Sequence, residues 1–131
     1  MEYRVCRNNP APYNDLNGKI SLLGLGTMRL PLRDAADQTS IDEEKAQEIF
    51  DYAYAHGVNY FDTAYPYHGG MSEKFCGKAL AKYPRASYHL ASKLPGWLLK
   101  CDEDVPRIFN EQLANCRTDY FDFYLAHSVH E

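Results

Sequence analysis

Three ionisable residues, Asp62, Lys93 and His127, each close a short apolar run, and Tyr67 stands five residues beyond the first of them. Their types suit proton transfer. A lysine shut away from water keeps its charge when a carboxylate lies within about 4 Å, a part Asp62 can play for Lys93. An ammonium about 4 Å from a phenol, at an effective dielectric near 20, stabilises the phenolate by about 4 kcal/mol, which makes a tyrosine a readier proton donor near neutral pH. An imidazole beside them can hydrogen-bond a carbonyl oxygen. A phenolic acid next to a carbonyl points to reduction. Taken singly, each residue also has a structural reading: Asp62 as a turn cap, Tyr67 as one of 11 tyrosines packed on a wall, Lys93 as a solvated strand end. Their joint alignment on successive strand ends favours chemistry.

That alignment depends on the elements carrying them. Residues 21–26, 59–63, 88–93 and 121–127 read as four strands, and amphipathic stretches of helical period separate them, which is the pattern of parallel βα units. The first helix is expected to open near Ser40 or Asp42, turn Ala46, Ile49, Phe50 and Ala53 inward, and close at Gly57. The second starts about Ser72, buries Phe75, Ala79, Leu80 and Tyr83, and stops before Pro84. The third opens around 102–104, carries Pro106 in its first turn, and buries Val105, Ile108, Phe109, Leu113 and Cys116. Strand starts recur at roughly 30 to 40 residues, the length of a right-handed βαβ step, so successive strands lie side by side. With strands about 4.8 Å apart, Asp62, Lys93 and His127 are expected in one row about 10 Å long. Asn17-Gly18 signals a tight turn and hence an N-terminal β-hairpin ahead of the series.

Lys and Arg total 14 against 18 Asp and Glu in 131 residues, a net charge of −4. This leaves no electrostatic footprint for nucleic acid or an anionic membrane. No apolar run approaches the ~20 residues of a membrane span, and the N-terminus lacks the apolar core of a secretory signal. The expected location is cytoplasmic. Four cysteines show no Cys-x-x-Cys spacing, so neither a zinc ribbon nor a disulfide framework is expected. Two other motifs fail on context. Leu23-Gly-Leu-Gly-Thr-Met-Arg29 puts Arg29 where a dinucleotide fingerprint needs its third glycine, and Pro31 follows where a helix must begin. His127, His130 and Glu131 have the spacing of a zinc-protease motif, yet they follow a strand rather than lie on a helix; no metal site is expected. His56, His68, His89 and His130 read as surface or loop residues.

Gly-Val-Asn-Tyr-Phe-Asp-Thr-Ala-Tyr-Pro-Tyr-His-Gly-Gly-Met-Ser-Glu at 57–73 resembles the signature of the aldo-keto reductases. Residues 23–31, Ala91-Ser92-Lys93 and 119–127 resemble the first, third and fourth strands of that family. The resemblance implies an α/β fold, the (β/α)8 (TIM) barrel, using NADPH or NADH to reduce aldehydes and ketones. It also implies a tetrad in which Tyr67 protonates the carbonyl, Lys93 activates Tyr67, Asp62 holds Lys93 and His127 orients the substrate. Gly26, Thr27 and Met28, with Asp62, resemble residues that border the cofactor, and Trp97 resembles a wall of the substrate pocket.

A full barrel takes about 250 residues, so residues 1–131 are read as a single domain, the N-terminal half of such a barrel: four parallel strands, three helices and the preceding hairpin. Family members draw most cofactor contacts from strands five to eight, so this chain by itself is expected to be inactive or nearly so. Residues 92–97 and 111–116 resemble a bacterial branch whose members often end in a ferredoxin-like segment; no iron–sulfur cluster is expected in this chain. The alternative is a half-barrel interaction module that pairs with itself or a partner through bare strand edges, without catalysis of its own.

Overall fold

Six short strands and three helices make up residues 1–5 and 19–129, which the computed structural model describes. Strand β1 (Tyr3–Val5) pairs antiparallel with β2 (Lys19–Ser21), as a hairpin requires. The Asn17-Gly18 turn lies outside the described residues, as do Cys6, His130 and Glu131. Strands β3 (Leu25–Gly26), β4 (Tyr60–Asp62), β5 (His89–Leu94) and β6 (Phe123–Ala126) form a parallel sheet in sequence order. Helices α1 (Glu43–Ala55), α2 (Met71–Leu80) and α3 (Asp104–Asn115) cross over between them. The result is a partial (β/α)8 arrangement. No described helix is long and apolar enough to cross a membrane.

Local chemistry sets the helix limits. The Asp42 carboxylate accepts from the Lys45 amide at 3.3 Å, and Glu43 and Glu44 sit in the first turn, where the helix dipole favours negative charge. At the other end Gly57 takes φ +88°, with its amide on the Tyr54 carbonyl and that of Val58 on the Ala53 carbonyl, a Schellman cap. A Cβ at Gly57 would lie 2.5 Å from the Tyr3 hydroxyl, so the hairpin needs glycine there too.

The core lies between the helices and one face of the sheet. Phe50 of α1 stacks on Phe61 of β4 at 5.3 Å and meets Phe75 of α2 edge-on at 5.4 Å; Leu80, Leu90 and Ile108 are also fully buried. Each such side chain contributes about 1.5–3 kcal/mol. Two expected core residues are not in it: Ile49 and Val105 are 40% and 38% exposed, on the flanks of their helices rather than on the stripe facing the sheet. Helix α2 ends at Leu80, four residues short of the Pro84 expected to stop it.

The expected strand at 21–26 splits in two. Pairing with β1 closes with the Leu22 amide on the Glu2 carbonyl at 2.9 Å, the Ser21 amide points the other way to the Asn59 side chain at 2.8 Å, and the chain then bends, with Leu22 and Leu23 exposed, before β3 begins. The hairpin is tied to the amino ends of the strands: the Lys19 carbonyl accepts from Asn59 Nδ2 at 3.1 Å and from His89 Nε2 at 2.8 Å. His89 is therefore a buried tie, not a surface residue.

Candidate active site

Asp62, Lys93 and His127 lie on the sheet face opposite the helices, but as a staircase rather than a row. Asp62 pairs in register with Ala91, and Lys93, two residues further, with Leu125; His127 stands two residues beyond that. Steps of two keep all three on one face. The offset is what strand tilt imposes when such a sheet curves toward a barrel. The long lysine side chain closes the first step by leaning back.

The Lys93 ammonium donates to Asp62 Oδ1 at 2.6 Å and to the Thr63 carbonyl at 2.7 Å, and it lies 5.1 Å from the centroid of the Tyr67 ring, over its face. The pair is shielded: the lysine side chain is 13% exposed and the aspartate 28%. Tyr67 belongs to a one-turn 3-10 segment, Tyr67–Gly70, anchored by its amide on the Ala64 carbonyl at 3.2 Å. Its ring meets His127 edge-on at 5.9 Å, and Trp97 also meets His127, at 5.0 Å. Among the described residues the Tyr67 hydroxyl makes no hydrogen bond. The structure thus brings all four sequence-predicted groups together with Trp97 at one rim.

His127 is fixed by its backbone, its amide donating to the Leu94 carbonyl at 3.0 Å, while its buried Nδ1 has no hydrogen-bond partner among the described residues. Burial pushes the imidazole pKa down, the Lys93 ammonium adds to this, and the Asp62 carboxylate opposes it; the net direction is down. The ring therefore favours its neutral form, able to donate from one nitrogen and accept at the other. A cavity of about 480 Å³ opens beside it, lined by Leu94, Trp97, His127 and Val129 among others. A larger cleft of about 560 Å³ lies elsewhere, around Arg33, Lys78 and Arg117; it contains none of these rim residues and is lined by solvated charges.

The expected cofactor-bordering residues divide. A Cβ at Gly26 would touch nothing within 4 Å, and Met28 is 59% exposed, so both face open space at the rim. Thr27 turns inward: its hydroxyl bonds the Asp62 carbonyl at 3.0 Å and the Ser72 hydroxyl at 2.7 Å. Gly26 pairs in register with Asp62, so the open space over Gly26 and Met28 adjoins the Asp62–Lys93 pair.

Sequence reasoning missed the layer behind the rim. Glu73 is fully buried, with one oxygen accepting from Ser92 Oγ and Gln112 Nε2, both at 2.7 Å, and the other from Asn115 Nδ2 at 3.2 Å. Gln112 Nε2 also reaches the Lys93 carbonyl at 3.0 Å, and Gln112 Oε1 accepts from the Tyr124 hydroxyl at 2.6 Å. A signal for Gln112 exists, a polar residue midway between Ile108 and Cys116 on the apolar stripe. His68, expected as a surface or loop residue, is only 5% exposed.

Comparison with known proteins bears on this geometry. Residues 22–131 match the family model described as the aldo/keto reductase family. The chain is 32% identical over 117 residues to L-galactose dehydrogenase of Arabidopsis thaliana, covering 85% of this chain and 35% of that protein. Among solved structures it resembles the aldo-keto reductase AKR11C1 from Bacillus halodurans in its holo form, with TM-score 0.70 and 30% identity over 95% of this chain and 40% of that one. It also resembles an aldo-keto reductase from Klebsiella pneumoniae in complex with NADPH, with TM-score 0.71 and 25% identity over 100% of this chain and 41% of that one. The chain thus spans about a third of the length of the curated relatives it matches.

Proposed function

The chain belongs to the aldo/keto reductase family, and on that footing we propose that it carries the acid–base centre of an NADPH-dependent carbonyl reductase. The observation that supports this is the Lys93 ammonium, held between Asp62 and the Thr63 carbonyl and facing the Tyr67 ring, with His127 alongside. When bound, NADPH supplies a hydride to the carbonyl carbon. Tyr67 delivers the proton from its hydroxyl to the carbonyl oxygen as negative charge develops there. Lys93 stabilises the phenolate left behind, and Asp62 fixes the ammonium. His127 donates a hydrogen bond to the same oxygen and orients the substrate, with Trp97 closing one side of the pocket. Gly26 and Met28, and the backbone of Thr27, are the residues of this chain that would border the cofactor.

The substrate is a small-molecule aldehyde or ketone. Among the described residues Cys76, Cys101 and Cys116 are free thiols, which fits a reducing, cytoplasmic setting. Because the relatives are longer, activity requires the rest of a barrel, and the direct test joins this chain to the strand-five-to-eight half of a full-length relative. Carbonyl-dependent oxidation of NADPH by that protein, lost in its Tyr67→Phe variant, is the expected result. Turnover that survives the substitution overturns the assignment.

One observation favours a second reading. The outer edges of β3 and β6 are unpaired among the described residues, and Leu125 and Val129 beside the latter are exposed, so the 131-residue chain can associate with itself or a partner. Solution mass alongside an NADPH titration separates the two: a stable dimer without cofactor affinity supports this reading, and a monomer that binds NADPH tightly rules it out.

A further inference from the structure

His68, next to Tyr67, does something its place in an outer loop conceals. Its backbone is left-handed, φ 53° and ψ 42°, uncommon for a residue with a side chain. Gly69 and Gly70 follow with φ +60° and +87°, so three successive residues hold positive φ immediately after Tyr67. The imidazole that this turn buries is tied at both nitrogens to the segment joining β3 to α1. The Leu30 amide lies 3.1 Å from Nε2, and Nδ1 lies 2.9 Å from the Gln38 carbonyl.

These partners fix the tautomer. An amide N–H can only donate, so Nε2 must accept; a carbonyl can only accept, so Nδ1 must carry the hydrogen. A second contact holds the same two segments together, since a Cβ at Gly69 would lie 2.7 Å from the Thr39 methyl. On the other side of Tyr67 the described contacts are the backbone bond to Ala64 and the ring packing on Lys93 and His127. A loop that forgoes the relaxed backbone of glycine at 68 and spends two buried hydrogen bonds there is being held in one shape.

We propose that His68 is a positioning residue for Tyr67: its neutral Nδ1–H imidazole clamps the Tyr67 loop to residues 30–38, so that the phenol stays over Lys93 and beside His127. The clamp rests on the reductase reading for its catalytic consequence but not for its existence, and the test separates the two.

In the 131-residue protein, imidazole ¹⁵N chemical shifts of His68 at neutral pH should show a protonated Nδ1 and an accepting Nε2. A dominant Nε2–H form, or rapid averaging between tautomers, overturns the clamp. The variant His68→Gly relieves the left-handed backbone, so loss of fold is not its expected defect. It should remove the nuclear Overhauser contacts between the Tyr67 and His127 rings, and His68→Gln, which restores an acceptor at the reach of Nε2, should bring them back. Ring contacts unchanged in His68→Gly overturn the positioning role. In the completed barrel, His68→Gly should lower kcat at least tenfold with NADPH affinity within twofold of the parent, and His68→Gln should recover most of it. A parent barrel that reduces no carbonyl overturns the reductase reading alone, because the tautomer and the ring contacts still decide the clamp.

Discussion

At the amino ends of β5 and β6 most polar groups are closed off in pairs. Arg85 gives hydrogen bonds to Thr118 Oγ1, to the Tyr88 and Tyr120 carbonyls and to Asp122 Oδ2, at 2.7–3.0 Å, and its guanidinium lies 3.8 Å from the Tyr120 ring centroid. The same Asp122 oxygen accepts from the Leu90 amide at 2.8 Å, while the other, 3.6 Å from His89 Nδ1, has no hydrogen-bond partner among the described residues. The carboxyl ends are more open. His127 Nδ1 and the Tyr67 hydroxyl lack partners among the described residues, and Met28 and Trp97 are more than half exposed. In βα folds the tied end serves stability and the open end serves chemistry. The same sheet thus separates the two demands by a strand's length, and substitutions at the two ends should fail in different ways.

The sharpest break of that contrast is Tyr67→Phe. In the completed barrel it should cost about a thousandfold in kcat, the usual contribution of a positioned general acid. The melting temperature should stay put, because the lost hydroxyl has no partner among the described residues. A large drop in thermal stability with turnover intact would make Tyr67 a foot residue misplaced at the rim.

Arg85→Ala should do the reverse. It leaves the Asp122 carboxylate, whose side chain is fully buried, without its cation, and breaking such a pair costs about 3 kcal/mol. Denaturant unfolding reads the loss, while Tyr67–His127 ring contacts at the rim should persist. A milder test of the frame is Gly77→Ala. A Cβ there would lie 2.6 Å from the Asn115 carbonyl oxygen and the Cys116 carbonyl carbon, backbone that cannot swing aside, so α2 must move off α3. Overpacking of this kind costs about 2 kcal/mol. Since α2 and α3 carry Glu73 and Gln112, the shift should also disturb Ser92 and Lys93, which amide exchange on β5 would report.

What could be read from the chain follows the same division. Asp62, Lys93 and His127 were legible because each interrupts an apolar run at a strand end, and the order of β3 to β6 followed from the crossover rule. Their vertical offset was not, because register depends on how far strands tilt, and no residue encodes that alone. Glu73 and His68 were illegible for another reason: a carboxylate or imidazole near a loop reads as solvated, and only the partners brought from α3 and from residues 30–38 make burial tolerable. The run at 21–26 misled because five leucine or glycine positions after Ser21 look like one strand, whereas the chain bends beyond the hairpin, where the Asn59 side chain ties Ser21 to the start of β4.

The smallest effect is a titration at the rim. Burial and the Lys93 ammonium hold the His127 imidazole below the ordinary value of 6.5, against the pull of Asp62. Above about 6.5 the ring is neutral folded or unfolded and contributes nothing to pH dependence. As pH falls through that value the unfolded chain takes up the proton first, so the folded state loses stability until the folded ring titrates as well. Lys93→Met removes the repelling cation and leaves Asp62 uncompensated, and both changes act in one direction. The His127 midpoint, followed by imidazole NMR, should therefore rise. A midpoint for His127 that stays in place would mean that the ammonium and the imidazole do not share the rim's field, and the contrast between the two ends would lose its electrostatic half.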